Sequence, residues 1–239
     1  MSEDIEEVKG EPEETRRPPR NPFQYNAALN REQSQTLLIG RDKQIKDISY
    51  LLDQLTIDQP GNNVVVVGER ASGKTSLLNR ISMDAKDRGH FSVKITLDSK
   101  SADSDVSFWK RVFEAILEEA SDAGILPDNP EFGEAHRTAF AGENMPDALA
   151  GFLEYESAAI LGKGSLSNVM LQKDLGKFIE ETGRCLVLLI DESQNLQGSS
   201  LILEQIRNFL GETNGCMLVL SGSEEFLETV KETHDGLAR

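Results

Sequence analysis

The chain has 239 residues and a mass of 26.4 kDa, which allows one large domain or one domain with appendages. Hydrophobic residues make up 38% and the formal net charge is −16, so a sizeable core is possible and the surface is acidic. Because contacts to a phosphate backbone need clustered Lys and Arg, this composition argues against a segment that binds nucleic acid by itself.

Cysteine usage and the N-terminus indicate the compartment. Cys185 and Cys216 each open an apolar, strand-like run and show neither zinc spacing nor a disulfide framework, so we expect reduced thiols that behave as small hydrophobes. The first residues lack the basic and apolar regions of a signal peptide, and no apolar run approaches the ~20 residues of a membrane span. We therefore predict a cytoplasmic protein without a membrane partner.

The N-terminal 21 residues are predicted to be a disordered tail. The segment is acidic and then rich in Pro and Arg, with too little apolar surface to offset the entropy of ordering. A solubilising linker is the expected role, and contact of the basic cluster with an acidic partner is the alternative. The predicted domain occupies residues 22–239. Its first clear element is a helix over 42–55, preceded by Gly40 and Arg41 and apolar along one face.

A glycine-bounded loop follows a run of four valines, 64–67, and leads into a helix predicted to end near Gly89. Four consecutive valines suit a strand that is buried on both faces. The order strand, loop, helix is the context that a phosphate-binding loop (Walker A) requires. The predicted loop consists of Gly68, Glu69, Arg70, Ala71, Ser72, Gly73, Lys74, Thr75 and Ser76.

The residue types in this loop suit a polyphosphate. Gly68 and Gly73 let the chain curl until several backbone N–H groups converge on one point, and the following helix adds the positive end of its dipole. Lys74 can place an ammonium against the β- and γ-phosphates, and the Thr75 hydroxyl can ligate Mg²⁺. We therefore predict that ATP and Mg²⁺ bind here. A glycine turn that binds nothing is the alternative.

The middle of the chain contains a predicted strand over 91–98 and a predicted amphipathic helix over 106–123, whose aromatic residues belong in a core. Residues 124–164 form a predicted insert, interrupted by prolines, with a short helix over 146–160 and an isolated His136 that we expect to be solvated. Another helix is predicted over 166–182, ending at Gly183.

The second informative stretch is the apolar run 185–190, which ends in Asp191 and Glu192. If this strand is parallel to the valine strand, its carboxyl end lies at the same sheet edge as the phosphate loop. Asp191 could then hold Mg²⁺ through water, and Glu192 could orient and deprotonate the attacking water. Acidic residues after a strand can also simply cap a helix.

The remaining elements are a helix over 199–210, a strand over 216–223 and a helix over 224–232. Residues predicted to be buried in the first of these helices are Leu201, Leu203, Ile206, Phe209 and Leu210. The strand ends near Ser221 and Ser223, either of which could contact the γ-phosphate, although an ordinary turn is an equal alternative.

Together these stretches resemble the AAA+ ATPases, in the branch shared by origin-recognition-type initiators, STAND signalling ATPases and transposition-associated ATPases. The resemblance covers residues 21–239. It rests on Ile39-Gly40-Arg41, Gly-Glu-Arg-Ala-Ser-Gly-Lys-Thr-Ser-Leu-Leu from Gly68, Leu-Leu-Ile-Asp-Glu-Ser-Gln-Asn-Leu from Leu188, and Val-Leu-Ser-Gly-Ser-Glu-Glu-Phe-Leu from Val219. It implies that Gly40 and Arg41 lie beside the adenine, with Asn21-Pro22-Phe23 as a further candidate for that position.

The resemblance also implies a P-loop NTPase fold, a three-layer α/β/α domain whose parallel sheet has the strand order 5-1-4-3-2. Only four strands are visible here, so the fifth strand and the helical lid are missing, and the chain resembles part of a longer protein. A partner-facing arginine finger would lie near or beyond the end of the chain, which leaves Arg239 as the candidate.

The function that follows is an ATP-binding and ATP-hydrolysing switch, slow or inactive in isolation, with Lys74 and Glu192 as the catalytic residues. Its expected partners are ATP or ADP and a second copy or another protein that contacts the ATP site. GTP is less expected, because the Asn-Lys-x-Asp guanine motif is lacking. The alternatives are a DNA-associated assembly factor, which would need additional domains, and a scaffold that binds ATP without hydrolysing it.

Overall fold

A computed structural model of the chain describes residues 38, 40–100, 103–124, 168–210 and 213–233. The predicted N-terminal tail, the 21–23 segment, His136, the 146–160 helix and Arg239 lie outside these residues. Nearly all of the predicted insert does too.

Four strands form one parallel sheet in the order β1-β4-β3-β2. The strands are β1 (Val64–Val67), β2 (Phe91–Thr96), β3 (Leu186–Asp191) and β4 (Cys216–Gly222). Parallel strands need crossover connections, and the intervening helices supply them. The arrangement confirms the predicted α/β class, and the four described strands follow the 1-4-3-2 part of the predicted order 5-1-4-3-2.

Six helices accompany the described sheet, and their boundaries agree with the predicted ones to within about two residues. They are α1 (Asp42–Gln54), α2 (Lys74–Asp87), α3 (Asp105–Asp122), α4 (Asn168–Thr182), α5 (Ser200–Leu210) and α6 (Glu224–Thr233). A short 3₁₀ helix, Ser193–Leu196, follows β3 and was not predicted. No helix in the described part of the chain is long and apolar enough to cross a membrane.

The alternation of side chains along the strands divides the core between the two faces of the sheet. On one face, buried residues of α1 and α2 such as Leu52 and Leu77 pack with Leu189 and Val219. On the other face, Phe108, Trp109, Phe178, Ile202 and Phe226 pack with Leu188 and Leu218. This is the predicted three-layer arrangement.

Two predictions about burial were wrong. Of the four valines in β1 only Val66 is buried, because β1 pairs with β4 on one side and no described strand lies on the other. In α5, Leu201 is 55% exposed, whereas Ile202 and Gln205 are buried beside Leu203 and Ile206. Leu203 and Ile206 are thus buried as predicted, Leu201 is not, and the side chains of Phe209 and Leu210 lie outside the described residues.

Candidate functional site

The loop between β1 and α2 lies at the carboxyl edge of the sheet and turns sharply into the helix. Gly73 precedes α2 with φ 84°, a left-handed conformation that glycine adopts without steric cost. Ala71 also has a positive φ of 63°, which is unusual for a residue with a Cβ. The turn is closed by the Ser72 N–H, which donates to the Glu69 carbonyl at 3.2 Å. The N–H groups of the first turn of α2 have no partners within the helix and are suited to bind an anion.

Two contacts fix the conformation of this loop. A Cβ on Gly68 would lie 2.8 Å from the Ser72 hydroxyl oxygen, so the close approach of these residues depends on glycine. The Arg41 Nη2 atom donates to the Ser72 carbonyl at 2.8 Å, although 31 residues separate them. Arg41 therefore joins the start of α1 to the loop, and its neighbour Gly40 is exposed with φ 77°. Glu69, Arg70 and Ala71 are exposed at the turn.

Adjacent residues at the start of α2 contact the loop and β3. The Lys74 Nζ atom donates to the carbonyls of Gly68 at 2.7 Å and Glu69 at 2.9 Å. The Thr75 hydroxyl donates to the Asp191 Oδ2 atom at 2.7 Å, across a sequence separation of 116 residues. Ser76, the next residue, is buried. The structure thus brings Thr75 of the loop motif into contact with Asp191 of the second motif.

The two acidic residues after β3 differ in environment. Asp191 is 1% exposed, and its Oδ1 atom accepts a hydrogen bond from the Glu192 N–H at 3.0 Å. Glu192 is exposed with φ 57°, and its carboxylate accepts a hydrogen bond from the Gln194 Nε2 atom. Glu192 precedes the 3₁₀ helix without a side-chain capping bond. Its side chain therefore does not have the helix-capping role that was the alternative for these acids.

The two candidate serines after β4 also separate. The Ser223 hydroxyl accepts from the Phe226 N–H at 3.3 Å and so caps α6. Ser221 is fully buried, and its hydroxyl has no hydrogen-bond partner. Leu220 pairs with Ile190, so Ser221 in β4 lies beside Asp191 in β3. Because side chains alternate along a strand, both residues lie on the face of the sheet that packs against α2.

Comparison with known proteins identifies the family. The sequence model of the family described as AAA ATPase domain matches residues 37–219. The chain belongs to this family. This confirms the family resemblance inferred from the sequence motifs, and it supports nucleotide binding as the general function of the domain.

One solved structure shows the same fold as this AAA ATPase domain. The chain matches the ORC2 protein of Aeropyrum pernix in its ADPNP–ADP complexes with a TM-score of 0.51 and 14% identity, over 92% of this chain and 49% of that one. The ADP form of the same protein gives a TM-score of 0.49 and 13% identity, over 83% and 45% of the two chains. The chain thus spans about half the length of these structures. No curated protein matches the chain.

Unsatisfied polar atoms are concentrated at this edge of the AAA ATPase domain. In the described part of the chain, three buried side-chain atoms lack a hydrogen-bond partner: Ser72 Oγ, Gln194 Oε1 and Ser221 Oγ. Ser72 belongs to the loop and Ser221 ends the strand beside it. The Gln194 backbone nitrogen lies 3.5 Å from where a Cβ on Gly222 would be. Because buried polar atoms in native proteins are nearly always hydrogen-bonded, the two unused serine hydroxyls indicate a place for a ligand that accepts hydrogen bonds.

The oxygen atoms of Thr75 and Asp191 also suit a hard cation. Thr75 and Asp191 offer oxygen atoms 2.7 Å apart, and Mg²⁺ is usually held by one or two carboxylates together with substrate phosphates and water. Among the residues that the structure describes, no group of three or more His, Cys, Asp or Glu side chains could hold a metal ion by itself. The arrangement therefore suits a magnesium ion that arrives with a phosphate ligand. Sequence reasoning assigned no role to Gln194, although this residue lies in the motif that begins at Leu188.

Proposed function

We propose that this AAA ATPase domain binds Mg-ATP at residues 68–76, hydrolyses it, and uses the nucleotide state to control contacts with a second copy or another protein. The observation that carries the proposal is the hydrogen bond from Thr75 to Asp191. It joins the start of the helix that follows the loop to the acidic end of β3. A phosphate-loop site needs this hydroxyl oxygen and this carboxylate oxygen close together to hold Mg²⁺.

The loop and the start of α2 would bind the triphosphate. The N–H groups after Gly73 would donate to phosphate oxygens, and the positive end of the helix dipole would favour their charge. The Lys74 amine, which contacts two loop carbonyls at 2.7 and 2.9 Å, needs only a rotation of its side chain to reach the β- and γ-phosphates. Gly40 and Arg41 would lie on the adenine side, as the family resemblance implies.

Thr75 and Asp191 would hold the metal ion, Thr75 directly and Asp191 through water. Bound Mg²⁺ supplies positive charge that neutralises the phosphate oxygens as the transition state forms. The Thr75 hydroxyl oxygen has lone pairs besides the O–H that donates to Asp191, so it could hold the cation without losing that hydrogen bond. The same hydrogen bond would link occupation of the site to the end of β3.

Glu192 would act as the general base. Its carboxylate accepts a proton from a water molecule while the water oxygen forms a bond to the γ-phosphorus. The bond between the γ-phosphorus and the bridging oxygen breaks, and its electron pair leaves with ADP, so the products are ADP and inorganic phosphate. Lys74 and the Ser221 hydroxyl would donate to oxygens of the transferred phosphoryl group.

The turn after β3 would transmit the nucleotide state. Asn195 donates from Nδ2 to the Leu97 carbonyl at 3.0 Å, and the Leu97 N–H donates to the Asp191 carbonyl at 3.0 Å. Leu97, the residue after β2, is thus hydrogen-bonded both to Asp191 and to Asn195 of the turn. We propose that contacts with neighbouring subunits respond through this turn.

The test compares Lys74→Ala and Glu192→Gln with the matched exposed controls Lys43→Ala and Glu204→Gln. By calorimetry with Mg-ATP, the Lys74 variant should lose binding, whereas the Glu192 variant should retain it. Phosphate release by the Glu192 variant should fall by about 10²–10⁴-fold, the usual contribution of a general base. Unchanged affinity in the Lys74 variant would place the nucleotide elsewhere, and unchanged turnover in the Glu192 variant would exclude it as the base.

A further inference from the structure

The turn that carries Glu192 holds its carboxylate through a second side chain. Gln194 donates from Nε2 to a Glu192 carboxylate oxygen, Oε2. The oxygen of the same amide, Oε1, is buried and has no hydrogen-bond partner in the described structure. A carboxylate accepts hydrogen bonds and cannot donate, so only the amide nitrogen can face it favourably. The orientation of the Gln194 side chain is therefore set by Glu192.

The backbone of the turn is held firmly around these two residues. Ser193 is fully buried and donates from Oγ to the Ile190 carbonyl at 2.9 Å. The Asn195 N–H donates to the Glu192 carbonyl at 3.0 Å, and the Gln197 N–H donates to the Gln194 carbonyl at 3.0 Å. The Glu192 side chain is exposed and has three rotatable bonds, so the hydrogen-bonded backbone alone does not fix the position of its carboxylate. One hydrogen bond from Gln194 restricts it.

We infer that Gln194 is a positioning residue for ATP hydrolysis, one that holds the Glu192 carboxylate by its Oε2 atom so that Oε1 can take the proton of the attacking water. The inference rests on the proposed function, in which Glu192 is the base. Its physical basis is that a general base must stay within hydrogen-bond distance of the proton it removes, and a small displacement reduces the rate greatly. The Gln194 Oε1 atom is buried and makes no hydrogen bond in the described structure, so the contact with Glu192 is the one that orients this amide.

Two substitutions separate positioning from packing. Gln194→Met keeps the length of the side chain, removes the donor and also removes the unsatisfied buried oxygen, so the fold should be at least as stable. Gln194→Glu keeps the shape and replaces the donor by a carboxylate that repels Glu192. Gln197→Met is the matched control on the same turn, because Gln197 is exposed.

The measurements are kcat, KM and the calorimetric Kd for Mg-ATP, with a thermal melt for each variant of the 239-residue chain. We expect kcat to fall about tenfold in Gln194→Met, the effect of one hydrogen bond to a charged group. In Gln194→Glu it should fall at least as far, and Kd should stay within about twofold in both variants. The Gln197 control should behave as the unmodified chain.

The outcomes distinguish this inference from the proposed function. If Glu192→Gln abolishes turnover and Gln194→Met leaves kcat unchanged, Gln194 has no positioning role, while the proposed function stands. If Gln194→Met loses nucleotide affinity, Gln194 acts in binding, and if the variant unfolds at a lower temperature, Gln194 acts in folding. Either result overturns the inference. If Glu192→Gln hydrolyses ATP at the rate of the unmodified chain, the proposed mechanism fails first and this inference fails with it.

Discussion

Replacing Asp191 by Asn should remove the metal-dependent stabilisation of the domain while leaving the fold almost as stable as before. Asp191 is 1% exposed, and its oxygens accept hydrogen bonds from the Thr75 hydroxyl at 2.7 Å and the Glu192 N–H at 3.0 Å. None of the ion pairs in the described part of the chain involves it. The carboxylate is thus a buried charge that is solvated by two donors and has no described cation beside it.

Two opposing effects set the size of the change without ligand. Removing the charge relieves a desolvation penalty of several kcal/mol, at least in part. Against this, the asparagine side chain could accept the Thr75 bond but would turn an N–H toward the Glu192 N–H, which loses a bond worth about 1.5–3 kcal/mol. We expect the net change in unfolding free energy to be within about 2 kcal/mol. For a domain of this size that is a shift in Tm of less than about 8 °C in either direction.

The effect of ligand should be larger and one-sided. A nucleotide at 100 times its Kd stabilises the folded state by about 2.7 kcal/mol, which corresponds to about 5–10 °C for this chain length. The unmodified chain should show this shift with ATP and Mg²⁺ together and a smaller one with ATP and a chelator. In Asp191→Asn the two conditions should give the same Tm.

Thermal melts with and without Mg²⁺ measure both effects, and Asp47→Asn on the exposed side of α1 is the matched control. If the Asp191 variant retained the magnesium-dependent shift, this carboxylate would not hold the metal. If it lost more than about 15 °C without ligand, the carboxylate would be needed for folding instead, and the reasoning about an uncompensated buried charge would be wrong.

Three further predictions concern residues around the site and the core. Arg41→Ala should weaken Mg-ATP binding about tenfold by calorimetry, because the loop loses the charged donor to the Ser72 carbonyl; unchanged affinity would show that this bond does not hold the loop. Burial lowers the pKa of His90, with a partly opposing contact to the Leu52 carbonyl. The unfolded chain therefore binds the proton more readily, so stability should fall as the pH drops below about 6.5, and urea melts should show a weaker fall for His90→Gln. Burial also raises the pKa of Cys185 to about 11 and that of Cys216 well above its usual range. Neither thiol should react with a disulfide reagent at pH 8 until guanidinium unfolds the chain, and rapid labelling of the native chain would contradict their burial.

Sequence reasoning succeeded where a local pattern and a rule of sheet geometry act together. Four valines before Gly68 predicted β1, and the apolar run before Asp191 predicted β3. Because the carboxyl ends of parallel strands lie at one edge, the two motifs were expected to meet, and Thr75 and Asp191 are in contact across 116 residues. This long-range contact could be predicted because each partner is fixed by its own strand or helix end.

The errors arose where tertiary contacts override a local preference. Gln205 would normally be assigned to the surface, yet it is buried in α5 because its side chain accepts from Trp109 Nε1 at 2.8 Å and donates to Asp105 at 3.1 Å. Gln205 is thus buried in this helix, whereas Leu201 is exposed. An apolar pattern that treats glutamine as polar cannot predict this difference.

The choice between Ser221 and Ser223 shows the same limit at the site. Both are small polar residues near the end of a strand, so residue type cannot separate them. Their environments differ in the structure. Ser223 caps α6, whereas Ser221 is the penultimate residue of β4 and its hydroxyl has no hydrogen-bond partner. A helix cap and an unsatisfied buried hydroxyl depend on where the strand ends, which sequence fixes only to within a few residues.

The distribution of unsatisfied atoms gives a physical reason why this edge should respond to a ligand. Each buried polar atom without a partner costs about 1–3 kcal/mol, and the described chain carries three of them around the loop and the ends of β3 and β4. A buried carboxylate and a left-handed Ala71 lie at the same edge. Such costs persist in a folded protein when the rest of the structure supports them. A triphosphate would offer acceptors to the Ser72 and Ser221 hydroxyls, and its magnesium ion would offer positive charge to the Asp191 carboxylate. The edge that destabilises the free domain is therefore the one that would gain most on binding.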